Sequence, residues 1–381
     1  MTATGGDVVV IGAGLIGLAI GFELAERGAS VRIYDCDEPA RAASWAGAGI
    51  LAPYTERLRD AALLALCAAS LREYPVFAQR VRAAGGADPH LRLDGVVHAA
   101  FGEVELEGLK HHARALAERG VATELLERSV LLAAEPWVGA RVAGGLLIHC
   151  EGSVDNRRLG RALVAACAAR GVKIEHARAL RIECDARRVL GVQTELGFVG
   201  AGLAINACGA WAARLGGMPQ SCVPPIEPIK GQMLALAVPP GFVRHTTWFS
   251  GAYLVPRDDG RLLVGATEES IGFDERVTAQ GTHELLHAAL AAAPSLGAFT
   301  VTESWAGLRP GTPDGLPFLG PTPLAGLFLA TGHYRNGILL APATARAVAD
   351  AVEGKPSTEL RPFSIERLHA EESASSRITH A

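Results

Sequence analysis

The stretch VVVIGAGLIGLAIGFELAERGASVRIYD (residues 8–35) contains two apolar runs separated by a glycine-rich turn and a helix-like segment. Gly12, Gly14 and Gly17 stand in the GxGxxG spacing directly after the first run. Alone this motif is weak, but a strand before it and a helix after it predict a dinucleotide site. Gly12 permits the tight turn, Gly14 lets the backbone approach a pyrophosphate, and Gly17 lets helix and strand pack closely. The phosphates would lie on the free N–H groups at the positive end of the helix.

Asp35 ends the second apolar run, 18 residues after Gly17. A carboxylate there accepts hydrogen bonds from both ribose hydroxyls and repels a 2′-phosphate, which argues against NADP. The next segment, ARAASWAGAGILAP (residues 40–53), is a loop of small residues. Its Trp45 and Ile50 are too apolar for a solvent-exposed loop, so we expect it to lie along a flavin ribityl chain and isoalloxazine ring. The sequence therefore favours FAD over NAD.

Length, charge and cysteine content limit the class of protein. A chain of 381 residues predicts two domains. The net charge is −4 and no block of Lys or Arg occurs, so nucleic acid is not an expected partner. The seven cysteines form no CxxC pair, which indicates reduced thiols and no metal site. We expect a cytoplasmic protein with no membrane span, because glycines interrupt residues 8–22 and no other stretch approaches the roughly 20 apolar residues required.

Strand-like segments of nucleotide-domain type occur at the start, middle and end of the chain, with other β material between them. This interleaving predicts an α/β (α+β) fold in which the cofactor domain is discontinuous and a second, antiparallel sheet is inserted twice. The expected division is an FAD-binding domain of residues 1–88, 148–220 and 303–370, a substrate-binding domain of residues 89–147 and 221–302, and a flexible tail of residues 371–381. Helices are expected over about 15–27, from near Asp60, over 103–119 and 129–135, from Ser153 or Asp155, over 281–293, and from Gly337.

The segment GHYRNGILLAPATARAVADAV (residues 332–352) begins in a glycine turn and continues as a helix-like stretch. The first N–H groups, near Gly337 to Leu339, would lack an intrahelical partner. If they point at the flavin pyrimidine ring, they stabilise the negative charge of the reduced flavin, by ~0.3–1 kcal/mol when exposed and up to ~2 kcal/mol when partly buried. The alternative is an ordinary amphipathic helix.

Arg309 stands among apolar residues in WAGLRPGTPDGLPFLG (residues 305–320). We expect it to be drawn inward, and a buried guanidinium requires an anion. A substrate carboxylate bound through two parallel hydrogen bonds is one candidate. An internal ion pair with Asp314 or Glu303 is the other. Tyr253 begins the strand YLVPR, where a core aromatic and a substrate contact are equally compatible with the sequence.

Five motifs occur in matching order along nearly the whole chain: GAGLIG with Asp35, SWAGAGILAP, YLVPRDDGRLLVGATEESIGFD, ESWAGLRPGTPDGLPFLG and ATGHYRNGILLAPATA. Together they resemble the glycine oxidase (ThiO-type) branch of the D-amino-acid oxidase family of flavoproteins. The resemblance implies an FAD domain of the glutathione-reductase type, a substrate domain with a large antiparallel sheet, and a homotetramer. It also implies oxidation of glycine, sarcosine and small D-amino acids by oxygen. The imine product would feed the thiazole ring of thiamine or hydrolyse to glyoxylate and ammonia, with hydrogen peroxide as the second product.

The resemblance also implies roles for individual residues. Arg309 would hold the substrate carboxylate, and Tyr253, Arg335 and Ile50 would line the same pocket. The segment that would wrap the flavin ring consists of His333, Tyr334, Arg335, Asn336, Gly337, Ile338 and Leu339. The FAD contacts in the N-terminal part of the chain would be Gly12, Gly14, Leu15, Ile16, Gly17, Asp35, Ser44, Ala48, Gly49 and Ile50.

The chain departs from some family members in the pocket walls. Gly251 stands where some have histidine, and Ile50 and Glu268 stand where some have methionine. No motif carries an unassigned His, Lys or carboxylate suited to remove a Cα proton, so we expect hydride transfer to flavin N5 with no catalytic acid or base. No cysteine follows Cys222, whereas the related monomeric sarcosine oxidases tether their flavin through a cysteine near the substrate-arginine region, so non-covalent FAD is expected. The alternatives are a D-amino-acid dehydrogenase that reduces a quinone and a flavin-binding module without catalysis.

Overall fold

The computed structural model describes residues 7–355 and 358–368. In chain order its strands are β1 (Asp7–Ile11), β2 (Ser30–Asp35), β3 (Ile50–Leu51), β4 (Leu91–Arg92), β5 (Val96–Ala100), β6 (Thr123–Glu127), β7 (Gly144–Ile148), β8 (Gly152–Val154), β9 (Lys173–His176), β10 (Ala179–Cys184), β11 (Val189–Thr194), β12 (Gly197–Gly200), β13 (Leu203–Asn206), β14 (Glu227–Ala237), β15 (Thr246–Phe249), β16 (Ala252–Pro256), β17 (Arg261–Gly265), β18 (Thr300–Gly311), β19 (Phe318–Pro321) and β20 (Leu327–Thr331). The α-helices are α1 (Leu15–Glu26), α2 (Ala43–Ala46), α3 (Ala61–Gly85), α4 (Glu103–Glu118), α5 (Arg128–Ala134), α6 (Asn156–Ala169), α7 (Ala279–Ala292) and α8 (Ala341–Val352). Short 3₁₀ helices are formed by Gly209–Arg214, Gln220–Cys222, Pro294–Ala298 and Thr358–Phe363. The expected flexible tail, residues 371–381, lies outside the described residues.

The first sheet has the strand order β19-β20-β13-β1-β2-β9. All neighbours pair in parallel except the edge strand β19, which runs antiparallel to β20. Alternate residues of β1 point to opposite faces of the sheet. Val8 and Val10 pack towards α1, α3, α6 and α8, whereas Val9 and Ile11 pack towards a small sheet of β10, β11 and β12. Both faces are therefore covered, which explains why β1 is apolar throughout.

The second sheet has the order β18-β14-β17-β16-β15-β5-β7-β6 and is antiparallel except where β15 meets β5. One face packs against α7 and α5. The opposite face carries Met233, Val255, Leu263 and Trp305, which pack against residues of the 40–53 loop. The predicted α/β (α+β) fold class, with a cofactor-type parallel sheet and a separate antiparallel sheet, is confirmed.

The expected domain boundary at residue 303 falls inside β18. That strand pairs with β14 from Thr300 to Gly311, so residues 303–311 extend the second sheet and not the first. β18 pairs with β14 from Glu227 to Ala237, whereas β17, on the other side of β14, reaches only from Met233 to Ala237. If residues are assigned to domains by the sheet they join, this boundary lies after Gly311. The rest of the domain division stays a prediction.

Local signals place most helices. Asp60 caps α3 by accepting a hydrogen bond from the Leu63 N–H at 2.8 Å. Asp155, and not Ser153, caps α6. The expected start of the last helix at Gly337 is wrong, because the chain forms a turn first and α8 begins at Ala341.

α3 is the one helix of the described residues that is long and apolar enough to cross a membrane by length and composition alone. Half of its most apolar window is buried in the fold, where Leu66, Tyr74 and Val81 join the core beneath α6 and α8. The core helix of a soluble protein passes the same test, so this property is weak evidence for a membrane span.

Candidate active site

A cavity of about 680 Å³ lies between the two large sheets. The expected site residues that line it are Gly12, Gly14, Leu15, Ile16, Asp35, Ser44, Ala48, Gly49, Ile50, Tyr253, Arg309, His333, Tyr334, Arg335, Gly337 and Ile338. Gly17, Asn336 and Leu339 do not line it. Segments that are far apart in the sequence thus meet at one cavity.

At one end of the cavity the backbone leaves no room for side chains. Gly12 has φ +104°, and a Cβ there would lie 2.5 Å from the carbonyl oxygen of Ala207. A Cβ on Gly17 would lie 1.9 Å from the carbonyl oxygen of Gly12. Gly14 borders the cavity directly, and its neighbour Leu15 donates its N–H to Ser44 Oγ at 2.9 Å. This bare turn at the start of α1 fits the pyrophosphate of a dinucleotide such as FAD.

Asp35 ends β2 beside this turn. Its Oδ2 accepts the Ala13 N–H at 2.6 Å and its Oδ1 accepts the Asp37 N–H at 3.1 Å. Burial raises the pKa of Asp35, while these two N–H donors oppose that rise. Possible ligand atoms of Asp35, Cys36 and Asp37 lie within 4.8 Å of one another, but Cys36 and Asp37 are exposed and such groups are common without an ion. The position fits ribose recognition better than metal binding.

Three polar side chains from distant elements hold the 40–53 loop against the cavity: Asn156 at the start of α6, Arg257 after β16, and Trp305 in β18. They donate to the carbonyl oxygens of Ser44, Trp45, Ala46 and Ala48 at 2.8–3.0 Å. Arg257 also donates to Asn156 Oδ1 at 3.0 Å. Burial lowers the pKa of Arg257 to about 10, and Asp155 opposes this effect. No local sequence pattern predicted these contacts, although Arg257 ends the quoted YLVPR motif.

Arg309 is half-buried and points into the cavity from β18. One nitrogen, Nη1, donates to the carbonyl oxygens of Thr267 at 3.1 Å and Lys230 at 3.4 Å. Gly231 makes room for the guanidinium, because a Cβ there would lie 2.4 Å from Arg309 Nη2. These contacts fix the position of the guanidinium through neutral groups.

The two carboxylates that competed for Arg309 are paired with other arginines. Glu303 forms two hydrogen bonds of 2.9 Å with Arg157, and Asp314 lies 2.7 Å from Arg367. Within residues 7–355 and 358–368, no carboxylate lies within salt-bridge distance of Arg309. The internal ion pair is therefore excluded, and the cavity itself offers the place for an anion.

Tyr253 lies beside Arg309 on the cavity wall. It pairs with Gly265 across β16 and β17, and a Cβ on Gly265 would lie 2.6 Å from the tyrosine ring. Its ring centroid is 5.2 Å from that of Trp248. Burial raises the pKa of Tyr253, and the neighbouring Arg309 guanidinium opposes that rise. The phenol therefore stays protonated and is a hydrogen-bond donor next to the guanidinium.

The turn before α8 meets the end of β18. The Tyr334 N–H donates to the carbonyl oxygen of Pro310 at 3.2 Å, which ties the turn to the residue after Arg309. His333 is buried, contacts Thr344 Oγ1 through Nε2 at 3.1 Å, and burial lowers its pKa to about 3, so its ring is neutral. The amides of Gly337–Leu339 have no hydrogen-bond acceptor in the described part of the chain. The expected free N–H groups therefore belong to this turn and not to α8 itself.

Arg335 differs from Arg309 in its surroundings. It is exposed at the edge of the cavity and forms an ion pair and a hydrogen bond with Glu268. The Arg335 guanidinium also lies 5.1 Å from the Tyr334 ring centroid. A carboxylate of the chain thus already neutralises Arg335, which leaves Arg309 as the better anion-binding group.

Glu56 is a cavity residue that no sequence motif indicates. It is half-buried on the loop between β3 and α3 and lines the cavity. Burial raises the pKa of Glu56 to about 7, although Arg335 and Arg309 oppose the rise. No motif marks this loop, and only the fold brings it to the cavity.

Comparison with known proteins identifies the family. The model of the DAO family, FAD dependent oxidoreductase, matches residues 7–351. The chain is 36% identical over 382 residues to the bifunctional protein ThiO/ThiG of Trichormus variabilis (strain ATCC 29413 / PCC 7937), covering 98% of this chain and 57% of that protein. It thus spans little more than half the length of this relative.

Glycine oxidase of Geobacillus kaustophilus (strain HTA426) is 37% identical over 369 residues, covering 95% of this chain and 97% of that protein. The crystal structure of glycine oxidase from Geobacillus kaustophilus matches the fold with a TM-score of 0.88 and 37% identity, covering 95% of this chain and 98% of that one. These matches confirm the resemblance, the enzyme class and FAD as the cofactor. The chain belongs to the DAO family of FAD-dependent oxidoreductases.

Proposed function

We propose that this chain is a glycine oxidase of the ThiO type. It would oxidise glycine, and also sarcosine and small D-amino acids such as D-alanine, to imines, with oxygen reduced to hydrogen peroxide. The observation that carries the proposal is the half-buried Arg309 guanidinium, which faces the cavity with no carboxylate partner among the described residues. The imine would supply the thiazole ring of thiamine or hydrolyse to glyoxylate and ammonia.

The proposed mechanism uses the chain to bind and orient the amino acid. Arg309 takes the carboxylate, with its own position fixed by the Thr267 carbonyl oxygen, and the Tyr253 hydroxyl supports the same end of the substrate. The turn at Gly12 and Gly14 would hold the FAD pyrophosphate, and Asp35 the ribose. FAD, when bound, supplies the acceptor for a hydride from Cα. Removal of a Cα proton by a protein base is then unnecessary.

Peroxide release across a panel of small amines tests this function. FAD-loaded protein should release peroxide with glycine and with at least one of sarcosine, D-alanine and D-proline, because all present a carboxylate to Arg309. Peroxide is measured with a coupled peroxidase, and oxygen uptake with an electrode. Reduction of a quinone without peroxide, and a preference for larger D-amino acids, would instead identify a D-amino-acid dehydrogenase.

We infer that FAD is held without a covalent bond. Cys36 and Cys208 border the cavity near the dinucleotide turn, and burial raises the pKa of the Cys208 thiol, which keeps it protonated and a poor nucleophile. Acid precipitation of the holoenzyme should therefore give a colourless pellet with all flavin in the supernatant. Yellow colour that stays with the washed pellet would refute this.

We also propose that the protein acts in the cytoplasm as a homotetramer. All seven cysteines are free, which fits a reducing compartment. The tetramer rests on the family resemblance alone.

A further inference from the structure

Glu56 faces the place where a substrate of Arg309 would lie. Its carboxylate lines the same cavity as Arg309 and Tyr253 and interacts electrostatically with both. The charge of Arg335, in the turn before α8, also acts on Glu56. The loop that carries Glu56 thus borders the same cavity as β18 and the turn before α8.

The position of this loop is fixed by a second, buried carboxylate. Glu151 has no exposed surface and accepts the N–H groups of Tyr54 at 2.6 Å and Thr55 at 3.0 Å, together with the Thr55 hydroxyl. The same loop has a second contact, in which the Tyr54 carbonyl oxygen lies 2.9 Å from His112 Nε2. Glu56 follows Thr55 directly. The hydrogen bonds of Glu151 therefore fix the backbone that places Glu56 at the cavity.

A bound amino acid has two charged ends, and only one is accounted for by Arg309. The carboxylates on the cavity wall are Asp35, Asp37, Glu38, Glu56 and Glu268. The first three lie at or just after the end of β2, beside the dinucleotide turn. Glu268 is already paired with Arg335. Glu56 is thus the carboxylate left to meet an ammonium group whose carboxylate is held by Arg309.

We propose, resting on the function proposed above, that Glu56 binds the substrate ammonium group and accepts one of its protons. One N–H bond of the ammonium breaks and one O–H bond forms on Glu56, while the electron pair of the broken bond stays on nitrogen. The neutral amine then has the lone pair that forms the C=N bond as Cα loses a hydride. Glu56 returns its proton to solvent after the imine has formed.

The surroundings of Glu56 suit this exchange. Burial raises its pKa to about 7 against the opposing charges of Arg335 and Arg309, so it ionises near neutral pH, where a proton acceptor works best. Five titratable or charged groups interact electrostatically with Glu56: Arg309, Arg335, Tyr253, Cys67 and Glu151. Below pH 7 Glu56 is protonated and cannot accept, so kcat/KM for glycine should fall.

The test compares Glu56→Gln with Glu118→Gln, a control at an exposed glutamate at the end of α4. At pH 7 we expect Glu56→Gln to lower kcat/KM for glycine by roughly 10²-fold or more. The deficit should shrink as pH rises, because more free glycine then carries a neutral amine. The second readout is the Kd of acetate, a carboxylate with no amine, followed by the flavin spectrum. It should be unchanged or tighter in Glu56→Gln.

Three results would overturn the proposal, and they are distinct. If wild type oxidises glycine and Glu56→Gln shows the same pH profile, Glu56 accepts no proton, while the proposed function stands. If Glu56→Gln loses acetate binding as well as turnover, its role is to hold the loop. If wild-type holoenzyme oxidises no small amine, the proposed function fails, and the assignment of Glu56 fails with it.

Discussion

Replacing Arg309 by alanine should raise the KM for glycine by roughly 10²-fold or more while FAD stays bound. Loss of a hydrogen bond to a charged group costs a few kcal/mol of substrate binding, and every 1.4 kcal/mol is about tenfold. FAD should be retained because Arg309 interacts with Thr267, Lys230 and the cavity, and not with the dinucleotide turn. The measurements are peroxide release against glycine concentration and the ratio of flavin to protein.

The control for this variant is Arg276→Ala. Arg276 is an exposed arginine whose partner is Asp274, and its replacement should leave the kinetics unchanged. Arg335→Ala should have a smaller effect than Arg309→Ala, because Glu268 already neutralises Arg335. Unchanged glycine turnover in Arg309→Ala would show that the substrate carboxylate is bound elsewhere.

Replacing Gly17 by alanine should prevent stable FAD binding. The added Cβ would lie 1.9 Å from the Gly12 carbonyl oxygen, so the backbone of the turn must shift. Overpacking of this kind costs about 1–3 kcal/mol or more of folding free energy. It also moves the N–H groups that would hold the pyrophosphate. The flavin-to-protein ratio after gel filtration and the thermal unfolding curve report both effects.

Gly108→Ala is the matched control for that substitution. Gly108 lies inside α4, and a Cβ there meets no atom within 4 Å. Alanine should stabilise the helix by about 0.5–1 kcal/mol and leave FAD content unchanged. A Gly17→Ala protein with full FAD content and wild-type stability would contradict the packing role assigned to Gly17.

The parts of the fold that were predicted correctly depend on neighbours in sequence. The GxGxxG turn, the strand that ends at Asp35 and the helix start near Asp60 each depend on a few consecutive residues, and the structure has them where the sequence placed them. Of the two expected caps of α6, Ser153 and Asp155, the structure has Asp155. Arg309 was also expected to lie inward, since its flanking residues are apolar. That Arg309 has no internal carboxylate partner could be seen only from the fold, because Glu303 and Asp314 are paired with arginines that are distant in sequence.

The parts that were missed depend on contacts between distant segments. The boundary expected at residue 303 lies inside β18, which pairs with β14 along its whole length. Asn156 and Arg257 hold a loop more than 100 residues before them. Glu56 has no motif around it, and Glu151, which fixes its loop, lies 95 residues further along the chain. Pairings of this kind leave no local pattern in a single sequence.

Anaerobic addition of glycine to the FAD-loaded protein tests the central claim most directly. The claim is that Arg309 and the turn before α8 present a small amino acid to the bound flavin. We expect glycine to bleach the visible flavin absorbance in wild type, and in Arg309→Ala only at glycine concentrations higher by about 10²-fold. A flavin that stays oxidised with glycine, sarcosine, D-alanine and D-proline alike would contradict the account.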